Sequence, residues 1–340
     1  RILSGKATAG RPPHRPRSRA GALARRPDPS TFPDPCGRDG RPGTERSAGR
    51  GVGTGRAVLL IRQTKGDATL SVDPRAPSAD CQYVLYTRFN VPIPDYRKRL
   101  EDRGIVYEDW LAEKKRAFFR YCLPSVTSQS HGDFLWIIAF GEKTAEVEEI
   151  LDSISPHAFV RPVFLEAGGP ELRRSILETY RALPPRRLLA TVRLDCDDAL
   201  NLHFFHNLDR YVSSVVEADA VPSGDWPLSV SFPYGAKIFG DRWCPANWPA
   251  NPFVCLVEET SSKMKTVFAR PHGEIRSIST IKELGTLQPM WGQMLGTTNI
   301  MNELGAREAP IGPVTPELLS LFGLEAERRR DRKSTRLNSS

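Results

Sequence analysis

The sequence predicts an α/β domain with a mixed, mainly parallel sheet flanked by helices, set between disordered N- and C-terminal tails. Three observations predict it. Short apolar runs typical of strands alternate with amphipathic stretches typical of helices. An acidic turn follows one of the apolar runs. Both ends of the chain lack such a pattern and are rich in arginine.

We expect residues 1–80 to be a disordered tail, because a stretch rich in Arg, Pro and Gly buries too little apolar surface to offset chain entropy. A basic arm for nucleic acid or anionic lipid is one alternative. Another is out-of-frame translation of GC-rich DNA. Residues 326–340 form a second basic tail, whose last residues resemble a translated sequencing adaptor. We expect neither tail to belong to the fold.

The net charge of +8 comes from these tails. Residues 1–56 hold thirteen basic and four acidic residues, and 326–340 hold six basic and two acidic ones, so the remainder is slightly acidic. This balance gives no reason to expect a nucleic-acid partner. The six cysteines have no zinc spacing and predict reduced, buried thiols in a cytoplasmic protein.

The elements of the first half follow in a regular order. The run at 134–140 is continuously apolar, which favours a strand covered on both faces. Pro124 should kink or stop the helix that contains it. The predicted strands are 82–89, 134–140, 159–164 and 187–194; the predicted helices are 109–128, 145–155, 170–180 and 198–218.

The second half is less regular. An apolar run at 253–257 ends in Glu258 and Glu259. The pattern also predicts a strand into a turn at 228–235, an aromatic and proline-rich loop at 243–252, a strand at 266–269 that leads to His272, and loop with a short helix at 286–302.

The acidic turn Asp195-Cys196-Asp197-Asp198 is the most informative motif. Three carboxylates where a buried strand meets solvent suit a hard divalent cation, Mn²⁺ or Mg²⁺, which is held by carboxylates together with substrate phosphates. The turn therefore predicts a metal site at Asp195 and Asp197 that holds a nucleotide diphosphate. An Asp-rich turn without ligands is the alternative, and Asp198 is expected to cap the following helix.

Other polar residues are expected at the same edge, because ligands bind outside the carboxyl ends of the strands in open α/β sheets. Thr87, Arg88 and Asn90 end the first strand and are candidate contacts to the base or ribose of a donor, unless they are ordinary loop residues. Arg193 precedes the acidic turn and could pair with its carboxylates or with a phosphate.

Four stretches, in order and in register, resemble the bacterial rhamnosyltransferase family, which is related to GT-A-fold glycosyltransferases. They are Leu85-Tyr86-Thr87-Arg88-Phe89-Asn90-Val91; Phe119-Arg120-Tyr121-Cys122-Leu123-Pro124-Ser125-Val126 with Gln129 and Asp133-Phe134-Leu135-Trp136; Arg193-Leu194-Asp195-Cys196-Asp197-Asp198-Ala199-Leu200; and Asn251-Pro252-Phe253 through Val257-Glu258. The resemblance spans about 82–302. It implies a GT-A-like, nucleotide-sugar-binding domain whose Asp-x-Asp turn holds a divalent metal against the diphosphate.

Two positions depart from the family pattern. Gly141 stands where the family tends to have an acid after the second strand, with Glu142 following it. Leu295 stands where the resemblance implies a histidine.

Glycosyl transfer with inversion needs a base for the acceptor hydroxyl, and Glu258 is our candidate because it follows an apolar strand. His272 is a candidate third metal ligand, since imidazole is acceptable to Mn²⁺. Each has a plainer interpretation: Glu258 and Glu259 as solvated acids, and His272 as polar surface.

The predicted function is metal-assisted transfer of a sugar, rhamnose by the resemblance, from a nucleotide-sugar donor to a bacterial glycan or glycolipid acceptor. Residues 81–325 would form the domain, with a donor half at 81–220 and an acceptor half at 221–305. A glycolipid acceptor would bring the protein to the inner face of the membrane. A metal-dependent phosphoryl or nucleotidyl transferase and a non-catalytic nucleotide- or glycan-binding module are the alternatives.

Overall fold

A computed structural model describes residues 80–92, 96–166, 168, 170–217, 227–261, 263–296 and 312–325. The predicted tails at 1–80 and 326–340 lie outside the described residues, apart from Asp80, and stay predictions. No helix within the described ranges is long and apolar enough to cross a membrane.

Strands and helices alternate through the first half, as predicted. The strands are β1 Cys81–Arg88, β2 Phe134–Phe140, β3 Val160–Phe164, β4 Leu188–Asp195, β5 Ala199–Leu200, β6 Leu228–Ser231, β7 Tyr234–Phe239, β8 Arg242–Asn247, β9 Cys255–Glu259, β10 Thr280–Glu283, β11 Trp291–Met294 and β12 Gly312–Pro313. The helices are α1 Tyr96–Asp102, α2 Tyr107–Ala117, α3 Leu123–Thr127, α4 Ala145–Ile154, α5 Pro170–Arg181, α6 Phe204–Glu217 and α7 Pro316–Ser320.

The central sheet has seven strands in the order β10-β6-β9-β4-β1-β2-β3. Strands β4, β1, β2 and β3 are parallel, so their carboxyl ends meet at one edge. Strand β9 lies antiparallel between β4 and β6. The predicted class, a mixed and mainly parallel sheet flanked by helices, is confirmed. The sheet takes strands from both predicted halves, and the division into a donor half and an acceptor half stays a prediction.

Both faces of the sheet are covered, which explains why β2 is a continuous apolar run and why β1 and β4 are buried along most of their length. One face packs against α2, α4 and α6 through large rings such as Trp136, Phe118 and Phe205. The other packs against α5 through Ile137 and Ile176.

The helix predicted at 109–128 is continuous in the structure, but it changes its winding. Helix α2 passes through a π-helical turn, Phe118–Cys122, into α3. Pro124 follows this π-helical turn as the second residue of α3, and the chain stays helical to Thr127, so the proline does not stop the helix.

A second sheet, in the order β12-β8-β7-β11-β5, corrects several predictions. The segment at 286–302, predicted as loop and short helix, contains β11, and the aromatic loop contains β8. The strand predicted at 266–269 is a 3₁₀ helix, Val267–Ala269. A Cβ at Gly235 would lie 2.1 Å from the Trp291 ring, so the close approach of β7 to β11 requires glycine there.

The helix predicted from residue 198 begins only at Phe204. The residues before it form β5, whose Ala199 and Leu200 pair with Gly292 and Trp291 of β11. Asp198 is therefore not the cap of α6, and that expectation was wrong. The partner strand is some ninety residues away in the chain, which is why a local pattern did not indicate it.

Candidate functional site at the carboxyl ends of the parallel strands

The acidic turn lies where the parallel strands end. Asp195 is the last residue of β4 and is in register with Arg88, the last residue of β1. The turn is closed by the Asp198 N–H, which donates to the Asp195 carbonyl at 3.1 Å. The structure thus brings Arg88, Arg193 and the three aspartates to one edge of the sheet, as predicted.

Asp195 pairs with an arginine. Nη2 of Arg88 donates to Oδ1 of Asp195 at 3.1 Å. Burial by itself raises the pKa of Asp195, but the positive charges of Arg88 and Arg193 outweigh it and hold the pKa below its usual value. The carboxylate is therefore ionised at neutral pH and serves as counter-ion to guanidinium groups.

Asp197 pairs with a lysine from α2. Its Oδ2 accepts a short hydrogen bond from Nζ of Lys114, and both side chains are almost wholly buried. Burial disfavours the ammonium, yet the charge of Asp197 raises the pKa of Lys114 above its ordinary value. Asp198 instead accepts a bond from the Met294 N–H at 2.9 Å, and burial, followed by the neighbouring aspartates, raises its pKa.

These partners bear on the predicted metal. Among the described residues, no three His, Cys, Asp or Glu side chains converge as metal ligands. Asp195 and Asp197 each hold a protein cation, and Leu295, where the resemblance implies histidine, lines a cavity of about 140 Å³ beside Asp197. This arrangement does not fit a divalent cation, which would have to displace Lys114 from Asp197. The Mn²⁺ or Mg²⁺ site at Asp195, Asp197 and His272 stays a prediction.

His272 lies near the acidic turn, held by other contacts. Its Nδ1 bonds to the Ala250 carbonyl at 2.8 Å, and its ring meets Trp248 edge-on at 5.1 Å. Burial lowers the pKa of His272, and Arg193 lowers it further while Asp195 opposes them. The imidazole is therefore neutral at pH 7.

One nitrogen of the Arg193 guanidinium is hydrogen-bonded, and another has no hydrogen-bond partner among the described residues. Its Nε donates to the Pro252 carbonyl at 3.0 Å, and its guanidinium lies 5.8 Å from the Phe268 ring centre. Its Nη2 is buried and has no hydrogen-bond partner among the described residues. Burial lowers the pKa of Arg193 to about 10; Asp195 counteracts this and Arg88 adds to it.

Two predicted donor contacts, Thr87 and Asn90, make hydrogen bonds within the fold. Thr87 is fully buried, and its Oγ1 accepts a bond from the Trp136 indole at 2.9 Å, so it does not face a ligand. The amide of Asn90 donates to the Glu142 carbonyl at 3.0 Å and accepts from the Gly141 N–H at 2.8 Å. Asn90 thus joins the ends of β1 and β2.

That junction explains the glycine at 141. A Cβ on Gly141 would lie 2.6 Å from the Asn90 carbonyl oxygen, so no side chain fits there. The acidic residue comes one position later. Glu142 is half-exposed and pairs with Arg97 at 2.9 Å.

A cavity of about 410 Å³ opens beside this junction. Aromatic side chains make up much of its wall: Tyr107 stacks on Trp110 at 5.6 Å, and Tyr96 meets Trp110 edge-on at 5.2 Å. Asn90, Arg97 and Glu142 also line it. Sequence analysis missed this cavity. The signal available in the sequence is the pair of aromatic residues near the start of α2, Tyr107 and Trp110.

Glu258 is far from the acidic turn. Strand β9 is antiparallel to β4, and Glu258 pairs with Leu189, six residues before Asp195. This separation is about 20 Å along the strand. The carboxylate accepts bonds from the N–H groups of Lys265 and Thr266, both at 2.7 Å.

Glu258 is therefore not in position to act as a base at the turn. It instead anchors Thr266, whose φ of 63° is strained for a β-branched residue, at the start of the 3₁₀ helix that carries Phe268.

Comparisons with solved structures give distant similarities. TarS 1–349 of S. aureus in complex with UDP-GlcNAc is 9% identical, with a TM-score of 0.38 over 71% of this chain and 64% of that one. The inositol-1-phosphate CTP transferase of T. maritima is 9% identical, with a TM-score of 0.32 over 66% of this chain and 93% of that one. This chain spans less than two thirds of the TarS length. Similarity at these TM-scores carries no argument about the site.

A comparison with curated proteins found no significant match. The family comparison covers the region that holds both the acidic turn and the aromatic cavity. The profile of the rhamnosyl transferase family matches residues 82–302, more than half of the chain. The chain therefore belongs to this family of glycosyltransferases.

Proposed function

We propose that this chain is a glycosyltransferase that moves a sugar, rhamnose by its family, from a nucleotide-sugar donor to a glycan or glycolipid acceptor. Membership of the family supports the reaction class. The observation that carries the proposal is the adjacency of an aromatic cavity to a cationic strand edge. Nζ of Lys114 lies 6.0 Å from the Trp110 ring and also bonds Asp197, so one side chain joins the two.

The aromatic cavity would take the donor's nucleoside. About 410 Å³ is within the range of small-molecule sites, and the tyrosine and tryptophan faces offer stacking surface for a flat base. Glu142 at the wall can accept a bond from a base N–H, and Arg97 beside it can donate to a carbonyl.

The charged edge would take the diphosphate. Transfer leaves a nucleoside diphosphate carrying the charge of the broken glycosidic bond, and preorganised cations stabilise that charge as it develops. Arg88, Arg193 and Lys114 are the cations at this edge. The divalent metal implied by the resemblance stays a prediction, and no step is assigned to it.

The test uses the full chain with a panel of UDP-, dTDP-, GDP- and CMP-sugars, and separates free sugar, nucleoside diphosphate and nucleoside monophosphate after incubation. We expect one donor to yield sugar and its intact nucleotide leaving group. A Glu142→Gln variant should weaken binding of that nucleotide several-fold. The matched control is Glu149→Gln on α4, which removes the carboxylate of an ion pair with Lys115 of α2. This control should bind the nucleotide as the unmodified chain does.

Two outcomes would contradict the proposal. Cleavage at phosphorus would favour a phosphoryl or nucleotidyl transferase. Binding of a nucleotide sugar without turnover of any donor or acceptor would favour a binding module.

A further inference from the structure

Two arginines lie side by side at the sheet edge. Arg88 ends β1, and Arg193 of the neighbouring β4 is in register with Tyr86 of β1. Because Tyr86 and Arg88 are two residues apart on one strand, the side chains of Arg88 and Arg193 leave the same face of the sheet. Phe268 stands beside both: its ring centre is 5.9 Å from the Arg88 guanidinium and 5.8 Å from that of Arg193.

The charges of this cluster do not balance. Arg88 and Arg193 share one carboxylate, that of Asp195, whose Oδ1 bonds Arg88. The neighbouring imidazole of His272 has a lowered pKa because it is buried, so it is neutral at pH 7 and does not change this balance. Lys114 acts on Asp195 from the other face, but its own partner is Asp197. The cluster therefore retains a net positive charge.

One hydrogen-bond donor of this cluster is also unsatisfied among the described residues. Arg193 uses Nε on the Pro252 carbonyl, while its buried Nη2 donates to nothing in the described part of the chain. Buried donors are almost always satisfied, because an unmet donor loses its bonds to water without replacement. The guanidinium of Arg193 is held at Nε by a carbonyl and lies 5.8 Å from an aromatic ring centre, and a guanidinium fixed in this way can bind an oxyanion through two N–H groups.

We propose that Arg88 and Arg193 together bind one phosphate group, with Asp195 as the counter-ion that holds Arg88 in place until the phosphate arrives. This rests on the proposed function and names the protein groups that hold its anionic substrate. The phosphate belongs to the diphosphate of the donor or to a phosphate-bearing acceptor. In either case the fork of Arg193 supplies the unmet donor.

The experiment measures binding by titration calorimetry of the full chain to UDP, dTDP, GDP and CMP, to the parent nucleosides, to inorganic pyrophosphate and to a lipid phosphate in detergent micelles. Each titration is run with EDTA and with Mn²⁺. The variants are Arg193→Met, which keeps the volume, and Arg193→Lys, which keeps the charge but loses the fork. Arg276→Ala, at an exposed ion pair with Glu283, is the control.

We expect Arg193→Met to lower affinity for the preferred nucleotide about tenfold or more in EDTA, as removal of a charge-assisted bond does, with affinity for its nucleoside unchanged. Arg193→Lys should recover part of the loss, and Arg276→Ala should lose nothing. A loss confined to the lipid phosphate would assign the site to an acceptor phosphate.

Unchanged affinity for every phosphate probe in a folded Arg193→Met chain would overturn the proposal, as would nucleotide binding that is absent in EDTA and restored by Mn²⁺. Pyrophosphate separates this proposal from the proposed function. If the chain binds no nucleotide but binds pyrophosphate through Arg193, the proposed function fails and the phosphate site stands.

Discussion

The amino and carboxyl ends of β1, β2 and β4 each carry an arginine paired with an aspartate. At the amino ends, Arg186 donates to both oxygens of Asp133, at 2.9 and 3.3 Å, and to the Cys81 carbonyl at 2.8 Å. At the carboxyl ends, Arg88 pairs with Asp195 at 3.1 Å, and the neighbouring Arg193 keeps a buried Nη2 that has no hydrogen-bond partner among the described residues. The difference teaches that paired charge alone does not mark a site. Unused hydrogen-bonding capacity in a buried cation does.

The largest effect is expected at the buried pair of the carboxyl edge. Lys114→Met leaves the Asp197 carboxylate buried without its cation, which should lower the free energy of unfolding by about 3–5 kcal/mol. Urea unfolding measures it. The double variant Lys114→Met, Asp197→Asn should regain much of the loss. If the double variant were no more stable than the single one, the pair would not be the source of the effect.

The next effect contrasts the two edges directly. Arg186→Met should lower the free energy of unfolding by about 1–2 kcal/mol, because it removes charge-assisted bonds that are partly screened by water. Its affinity for the nucleotide should equal that of the unmodified chain. Arg193→Met should do the reverse, losing affinity with a smaller change in stability. Equal losses of affinity in both variants would erase the distinction between the edges.

The third prediction tests whether Glu258 has a structural role or acts as the general base that the sequence predicts. Glu258→Gln should lower the free energy of unfolding by about 1–2 kcal/mol, since an amide nitrogen would face one of the two N–H groups that the carboxylate accepts. Turnover should fall by much less than the 10²–10⁴-fold loss of a general base. A loss in that range, in a chain as folded as the control, would restore Glu258 to the reaction.

The smallest effect concerns pH. The folded state holds His272 neutral, with its pKa below the ordinary value of about 6.5. The associated stability is present above pH 6.5 and is lost as the pH falls from there through the lowered pKa. The melting temperature of the unmodified chain should therefore drop more between pH 7.5 and 5.5 than that of His272→Gln. Parallel drops would show that His272 is not a source of this dependence.

The sequence predicted those parts of the fold that local patterns determine. Strand β2 has the predicted bounds because its seven residues are all apolar and buried. The predicted place of the acidic turn at the carboxyl edge is correct because β4 is parallel to β1. Strand direction was the missing information for Glu258. A run of apolar residues does not reveal whether its strand is antiparallel, and β9 carries its last residues to the opposite edge.

The aromatic cavity and the unmet donor of Arg193 were equally beyond local pattern. Tyr96, Tyr107 and Trp110 become a wall only when α1 and α2 pack beside the end of β2. The sequence indicated Arg193 as a phosphate contact. The orientation that leaves its Nη2 without a partner in the described part of the chain depends on Pro252 and Phe268, which lie more than fifty residues away in the sequence.

The antiparallel strand β9 also determines where the chain can be truncated without exposing a strand edge. It covers the edge of β4, in which five of the seven residues from Leu188 to Leu194 are apolar. A nascent or truncated chain that ends before Cys255 would present this strand with its backbone N–H and C=O groups unpaired, the kind of edge that templates aggregation. Fragments of this domain should therefore stay soluble only when they extend past Glu259, which makes that point the natural minimum for expression and for folding during synthesis.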